Sequence, residues 1–434
     1  MRTGPSAVRL GRHDLEGILD EMLTVRGRRA TVVLGIRAGT MFNTGLARPL
    51  LNGLRWIKGW RADTARTVLT QSTCEFQRVP VAFAPQPYFG VEPEPWLQNR
   101  SLWQRRPMVV SNADVYGGLF AVVANGRLIQ QDKETELPLY AWNYSEHFTQ
   151  AGRQYLLDTK RATKVHTLEE AVLVSNRASA NYFHWMFEAL PKILAHEGSS
   201  PLIVSAGMPS QHYEGLSMLA LERPVLTIGL HDRVSVQHLT VPASPCYLPD
   251  DPQHVGSAVV GSEAVKALAT AFLKSAPLPK RDDELLWVSR SGYAKSTGSR
   301  DLVNASQIEN LLVRHGATVF HPHQASLIEQ RERFASARVV VLPAGAAFAN
   351  VVFCRSGATV IALAQSEHTD LGFFGEIARA LGLRFATVYG LGVEEGSSGR
   401  FASHRNIHVE PAALERALAW ASALCEPDGI VPMR

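Results

Sequence analysis

Apolar and polar positions along this chain follow two periods, and the alternation between them is most regular in the second half. Short apolar runs recur at residues 285–288, 317–320, 339–342, 359–363 and 385–389, each bounded by polar or turn residues. Between them the apolar positions switch to helical spacing, at 304–314, 326–335, 346–353 and 372–381. Short buried strands joined by helices predict a parallel, doubly wound sheet, a Rossmann-like domain. An amphipathic helix over 411–424 closes the pattern.

The first half is less regular. Residues 1–60 read as a mixed prelude, with helical spacing over 15–25 and a strand at 31–36. Residues 65–150 carry short β-like runs broken by prolines. The clearest of them is a hairpin over 114–129 that turns at Asn125-Gly126. A run at 168–174 follows, then buried strands at 201–204 and 224–228 flanking a helix at about 211–221. A helix over 262–274 leads into the irregular Ser275-Ala276-Pro277-Leu278-Pro279-Lys280. The division expected is therefore a prelude (1–60), an N-terminal α/β domain (61–275), a C-terminal Rossmann-like domain (276–410) and a closing helix and tail (411–434).

One stretch concentrates polar chemistry in an otherwise apolar setting: Asn181-Tyr182-Phe183-His184-Trp185-Met186-Phe187-Glu188-Ala189-Leu190-Pro191-Lys192. As a helix it sets Asn181, His184 and Glu188 on one face, at i, i+3 and i+7. Phe183, Phe187 and Leu190 line a neighbouring apolar face that docks on a core. Pro191 ends or kinks the helix at Leu190 and is suited to begin the next one. Against a catalytic reading stands a plainer one, in which His184 and Glu188 form a structural i,i+4 pair and the aromatics are core.

Composition narrows the classes. The chain has 434 residues, 46% hydrophobic and 19% charged, a globular balance. Its formal net charge of +4, from 44 Lys+Arg against 40 Asp+Glu, is too mild to imply a nucleic-acid partner. The run Arg55-Trp56-Ile57-Lys58-Gly59-Trp60-Arg61 suits contact with an anionic membrane surface, although such runs are more often solvated helix faces. Cys74, Cys246, Cys354 and Cys425 show neither metal-ligand nor disulfide-framework spacing. Without an apolar run of bilayer length or a signal-peptide core, a cytoplasmic location is expected.

In open parallel sheets ligands bind beyond the carboxyl ends of the strands. The loop after the 285–288 run supplies Arg290, Lys295 and Arg300 among serines and glycines, cations beside open backbone, as a diphosphate needs in the absence of a metal. Taken alone, it reads more readily as a flexible surface loop. The loop after 339–342, Pro343-Ala344-Gly345-Ala346-Ala347-Phe348-Ala349-Asn350, lets a ligand approach backbone at a helix start. There is no Gly-x-Gly-x-x-Gly, P-loop, Gly-x-Ser-x-Gly elbow or Asp-x-Asp, and His321 and His323 read as loop residues with no third metal ligand nearby.

The order of these motifs resembles glycosyltransferase family 61, including its bacterial members of capsular polysaccharide biosynthesis. It runs from Asn181-x-x-His184-Trp185-x-x-Glu188-x-x-Pro191 to Ser289-Arg290, Arg300 and Asn304. Ser326-Leu327-Ile328-Glu329-Gln330 and Gly345-Ala346 to Asn350 follow, with Phe353 and Gly357, and the resemblance spans about residues 110–390. It implies a GT-B architecture, two Rossmann-like domains facing a cleft. It also implies an inverting, metal-independent transferase that needs no cofactor and moves a sugar from a nucleotide-sugar donor to a glycan acceptor. On that reading Arg290, Arg300, Gly345, Ala346, Ala347 and Asn350 hold the donor. His184 and Glu188 are the candidate bases, in either order, and Asn181 and Trp185 face the acceptor side of the cleft. Two departures stand out. Ala344 replaces a frequent His, and Ala362 replaces a Glu suited to holding a ribose. A catalytically retired nucleotide- or sugar-binding subunit is the alternative those losses favour, and an epimerase of the same architecture a weaker third.

Overall fold

The computed structural model describes residues 66–424 except 73–75, 82–85, 93–99, 106, 130–146, 152–153, 197, 220–221, 248–258, 276, 278–279, 281–283, 292–300, 367–370 and 394–404. The expected helix at 15–25, strand at 31–36 and Arg/Trp run at 55–61 lie outside the described residues, as do Cys74 and Cys425. The chain forms two compact units. One comprises residues 1–73, 112–167 and 230–235, and the other residues 74–111, 168–229 and 236–434.

The smaller unit is built on β-structure. Ala121–Ala124 and Arg127–Ile129 form the predicted hairpin, and Asn125 and Gly126 take positive φ of 50° and 70° at its two-residue turn. Residue 114–116 backbone pairs antiparallel with 121–123 on the other side. Arg66–Ser72 runs parallel to Arg127–Ile129 and antiparallel to Gln154–Asp158. Tyr116, Leu128, Phe148 and Leu157 fill the core, with the Tyr116 ring edge-on to Phe148.

The larger unit carries the doubly wound sheet. Its strands are Glu284–Val288, Thr318–Phe320, Ala337–Pro343, Thr359–Gln365 and Arg384–Val393, all parallel where they pair. Thr318–Phe320 lies to one side of Glu284–Val288 and the remaining strands run off the other, so the winding reverses beside the first strand. Alternate residues face opposite layers. Leu286, Val340, Leu342 and Val360 pack under Leu327–Ser336, Ser262–Lys274 and Gly372–Ala380, while Val341, Ile361 and Leu363 pack under Ala305–Arg314 and Pro411–Ala423. Two additions go beyond the sequence pattern: Tyr88–Gly90 pairs parallel to Thr387–Tyr389, and Asn406–His408 pairs antiparallel to Leu391–Val393.

Residues on either side of 275 fall within this one unit. Its earlier part has a parallel set of its own, residues 172–173 beside Leu202–Ser205 and then Val225–Ile228, with the helix Ser210–Met218 in between. Gly215 lets that helix approach closely, since a Cβ there would meet Leu327 at 3.2 Å and Leu190 at 3.3 Å. Arg331 is fully buried and donates to the carbonyls of Phe272, Leu273 and Pro277, which are the last turn of Ser262–Lys274 and the residues beyond it. Among the described residues no helix is long and apolar enough to cross a membrane.

Candidate functional site

A cavity of about 490 Å³ opens at the carboxyl ends of Glu284–Val288 and Ala337–Pro343, the two strands flanking the reversal. Ser289, Arg290, Pro343, Gly345, Ala346, Ala347 and Asn350 form one side of it. Its size and place suit a small organic ligand. Arg290 is half-buried, with Nε 3.6 Å from a carboxylate oxygen of Asp301. Its Nη1 lies 3.4 Å from where a Gly345 Cβ would stand, which places the guanidinium beside this loop. The 3-10 helix Ala346–Phe353 starts at this point and no side chain caps its first turn, which leaves N–H groups beside the cation. Arg290, Gly345, Ala346, Ala347 and Asn350 are thus brought together. Arg300 lies outside the described residues.

The opposite wall comes from the polar stretch and the helix after it: Asn181, Tyr182, Gln211 and His212. Asn181 caps the helix start, its Oδ1 accepting from Phe183 N at 2.9 Å. Tyr182–His184 is α-helical, Trp185–Ala189 is π-helical and Pro191–Leu194 resumes the α form with Pro191 in its first turn. Pro191 explains the wide turn. It has no N–H and its ring crowds the carbonyl four residues back, so Leu190 N reaches the Trp185 carbonyl instead, at 2.9 Å.

That turn arranges the predicted dyad. His184 Nδ1 stands 2.9 Å from Glu188 Oε1, with the imidazole 13% exposed and the carboxylate 2%. The other Glu188 oxygen accepts from Asn176 Nδ2 at 3.2 Å, and Asn176 is itself fixed by Ser179 and Ala178 N. Lys192 is buried one turn on, donating to the Val174 carbonyl at 3.2 Å. Neither His184 nor Glu188 lines the cavity; they lie about one and two turns along the helix from Asn181, which does, as does Tyr182. Trp185 departs from the expectation of a cleft residue. It is fully buried, because its indole N–H finds a partner inside, the His212 carbonyl at 3.1 Å.

Tyr182, Gln330, Gln211 and Glu214, which the sequence does not single out as site residues, join the two walls, and His212 stands beside them. Tyr182 donates to Asn350 Oδ1 at 2.5 Å, Asn350 Nδ2 donates to Gln330 Oε1 at 2.7 Å, and Gln330 Nε2 donates to the carbonyls of Pro322 and Ala325. Gln211 Nε2 also donates to Ala325 O, and Glu214 accepts from Leu327 N at 2.6 Å, capping that helix from across the gap. Burial, with the Glu214 carboxylate adding to it, holds the Tyr182 phenol well above its usual pKa, so it remains a donor. His212 is 1% exposed between the rings of Tyr182 and Trp185, and burial lowers its pKa to about 4. Neither of its nitrogens makes a well-aligned hydrogen bond, although the backbone of Ala180 and Ser179 is near enough to favour the charged form slightly. The signal for Tyr182 and Gln330 was their place inside the motifs; for Gln211 and His212 there was none.

Ala362 is fully buried in the core and Ala344 nearly so, and neither lines the cavity. Among the described residues no group of three or more His, Cys, Asp and Glu is gathered as a metal would require.

Residues 182–361 match the family model Glycosyltransferase 61. The match begins at Tyr182 and ends one residue before Ala362, so it contains the dyad, Arg290, Gln330, Gly345 and Asn350. It supports a glycosyltransferase. The matched segment thus supplies nearly all of the cavity, while the strands Arg384–Val393 and Tyr88–Gly90 lie outside it. No curated protein matches the chain.

Proposed function

We propose that this chain is an inverting, metal-independent glycosyltransferase that moves a sugar from a nucleotide-sugar donor to a growing cell-surface glycan. The observation that carries the reading is the cation on bare backbone at the sheet's reversal point. Arg290 lies against Gly345 beside an uncapped helix start, inside a stretch matching glycosyltransferase 61. A diphosphate there is neutralised by the guanidinium and by backbone N–H groups. The acceptor hydroxyl attacks the anomeric carbon, the bond from that carbon to the diphosphate oxygen breaks, and the hydroxyl proton passes to a base. His184, oriented by Glu188, is that base, and the fixed donor side leaves it to the acceptor side of a GT-B-type cleft. The protein works at the cytoplasmic face of a membrane, where a lipid-linked or elongating polysaccharide is available.

One observation favours a second reading, a nucleotide- or sugar-binding subunit that has lost turnover: neither member of the dyad lines the cavity. A panel of nucleotide sugars without added metal, tested for binding and slow hydrolysis with wild type and Arg290→Ala, separates the two. Binding with nucleotide release, both lost in Arg290→Ala, supports the transferase. Binding without release, even with candidate glycan acceptors present, supports the subunit, and no binding at all removes both.

A further inference from the structure

The hydrogen bonds joining the cavity walls have only one possible proton order. Gln330 faces two backbone carbonyls, Pro322 O at 3.0 Å and Ala325 O at 3.2 Å, and a carbonyl can only accept. Its nitrogen must therefore point at them, which turns Oε1 toward Asn350. Asn350 must answer with Nδ2, at 2.7 Å, and this leaves its Oδ1 for Tyr182. That oxygen also only accepts, so the Tyr182 hydroxyl must spend its single proton on it, at 2.5 Å. Asn350 and Gln330 are 0% and 3% exposed, so water does not offer either amide an alternative partner. The phenol has no second proton, and its raised pKa keeps the first in place.

We infer that Tyr182 acts in this cavity as a hydrogen-bond acceptor only, and that it selects a ligand by a hydroxyl that donates to it. The inference rests on a nucleotide sugar occupying the cavity, and it adds which of the ligand's groups are read and in which direction. A ligand group without a proton to give, such as a carbonyl, a phosphate oxygen or a fluorine, meets lone pairs at Tyr182 and is disfavoured. The diphosphate is accordingly left to Arg290 and Gly345, and a hydroxyl of the ribose or of the transferred sugar falls at Tyr182. Tyr182 becomes a specificity-determining residue, and Asn350 and Gln330 are positioning residues that set its polarity.

The test compares uridine and guanosine diphosphate glucose with analogues in which one hydroxyl at a time, on the ribose or on the glucose, is replaced by hydrogen or by fluorine. Binding is measured by calorimetry on wild type and on Tyr182→Phe. For wild type, hydrogen and fluorine at one position should each weaken binding by roughly ten- to a hundredfold. Whether that position is on the ribose or on the glucose identifies the hydroxyl. In Tyr182→Phe the parent and its deoxy analogue should bind alike, since the partner of that hydroxyl is gone. Asn350→Leu frees the phenolic proton, and fluorine should then bind better than hydrogen at the same position. Fluorine binding as well as hydroxyl to wild type would overturn the acceptor assignment. Equal weakening of every ligand in Tyr182→Phe, with the hydroxyl preference intact, would show a structural role only. Failure of wild type to bind any parent compound would overturn the transferase reading and this inference together.

Discussion

His184 Nδ1 lies 2.9 Å from Glu188 Oε1 across a π-helical turn, with the carboxylate buried and the imidazole still reaching solvent. The carboxylate is anchored from its other side by Asn176, so it holds the Nδ1 side of the imidazole at a fixed place on the helix. Pro191 is the reason the pair meets in this form, since it forces the wide turn.

The first prediction follows from that pairing and from its distance from the cavity lining. Glu188→Gln and His184→Gln should each lower turnover by roughly 10²–10⁴-fold, the usual share of a general base. Donor affinity should stay within about threefold, because uniform binding is untouched. Steady-state kinetics beside direct nucleotide binding check this, and unchanged turnover in both variants would make the pair structural.

Arg290 yields the second. Losing a charged hydrogen bond to a diphosphate costs about 1.5–3 kcal/mol, so Arg290→Ala should weaken nucleotide binding by roughly ten- to a hundredfold. Arg290→Lys should recover only part of it, because a point charge does not reproduce the planar fork. Asp301→Asn removes a competing carboxylate 3.6 Å away and should tighten nucleotide binding, with a change in stability below about 1 kcal/mol because the pair is partly exposed. Weaker binding in Asp301→Asn would mean that Asp301 orients Arg290 rather than competing for it.

The legible part of the fold was local. Val339 to Leu342 and Thr359 to Leu363 are continuous apolar runs because their strands are covered on both faces, and the helices between them carry their own periodicity. Tyr88–Gly90 was not legible as part of that sheet, since three residues almost 300 positions from their partners leave no periodic trace. The ten-residue strand Asp232–Val241 also went unread, its apolar positions being interrupted by Gln237 and His238. In the site, the places of Arg290 and Gly345 could be read from strand ends and the His184–Glu188 pairing from helix spacing, whereas the single face expected for Asn181, His184 and Glu188 is divided, with Asn181 alone of the three lining the cavity. The Tyr182–Asn350 bond joins residues 168 positions apart, and Trp185 looked like a cleft aromatic because nothing local shows that its N–H is satisfied within.

Arg331 gives a third prediction, about stability alone. The run Glu329-Gln330-Arg331-Glu332-Arg333 looks solvated, yet Arg331 is 1% exposed and satisfies three carbonyls at the end of Ser262–Lys274. Arg331→Met fills much of the space but takes the donor from the Leu273 and Pro277 carbonyls, while Phe272 O keeps Ser275 N and Oγ, at about 1–3 kcal/mol for each group left unsatisfied. A loss of about 3 kcal/mol or more by urea titration is expected, with Arg333→Met within about 0.5 kcal/mol as the exposed control. Equal losses in the two variants would show that the buried contacts contribute nothing specific.

His212 carries the last prediction, which concerns pH. Its pKa falls from an ordinary 6.5 to about 4 in the folded protein, because burial between Tyr182 and Trp185 penalises the imidazolium. Above pH 6.5 the ring is neutral in both states and has no effect on the balance. As pH falls below 6.5 the unfolded chain takes up the proton and the folded one does not, so stability declines until pH reaches about 4 and is level below that. The gap of about 2.5 units corresponds to about 3 kcal/mol over that window. His147, whose pKa is also lowered by burial, adds a smaller decline of the same sign in the other compact unit. His212→Phe keeps an aromatic ring between Tyr182 and Trp185 and removes the titration. Its unfolding free energy, measured from pH 7 to pH 4, should fall by about 3 kcal/mol less than that of wild type and retain only the other groups' share. A pH profile parallel to wild type would mean that the His212 imidazole is protonated in the folded protein without penalty, and that the wall it forms is wetter than its burial indicates.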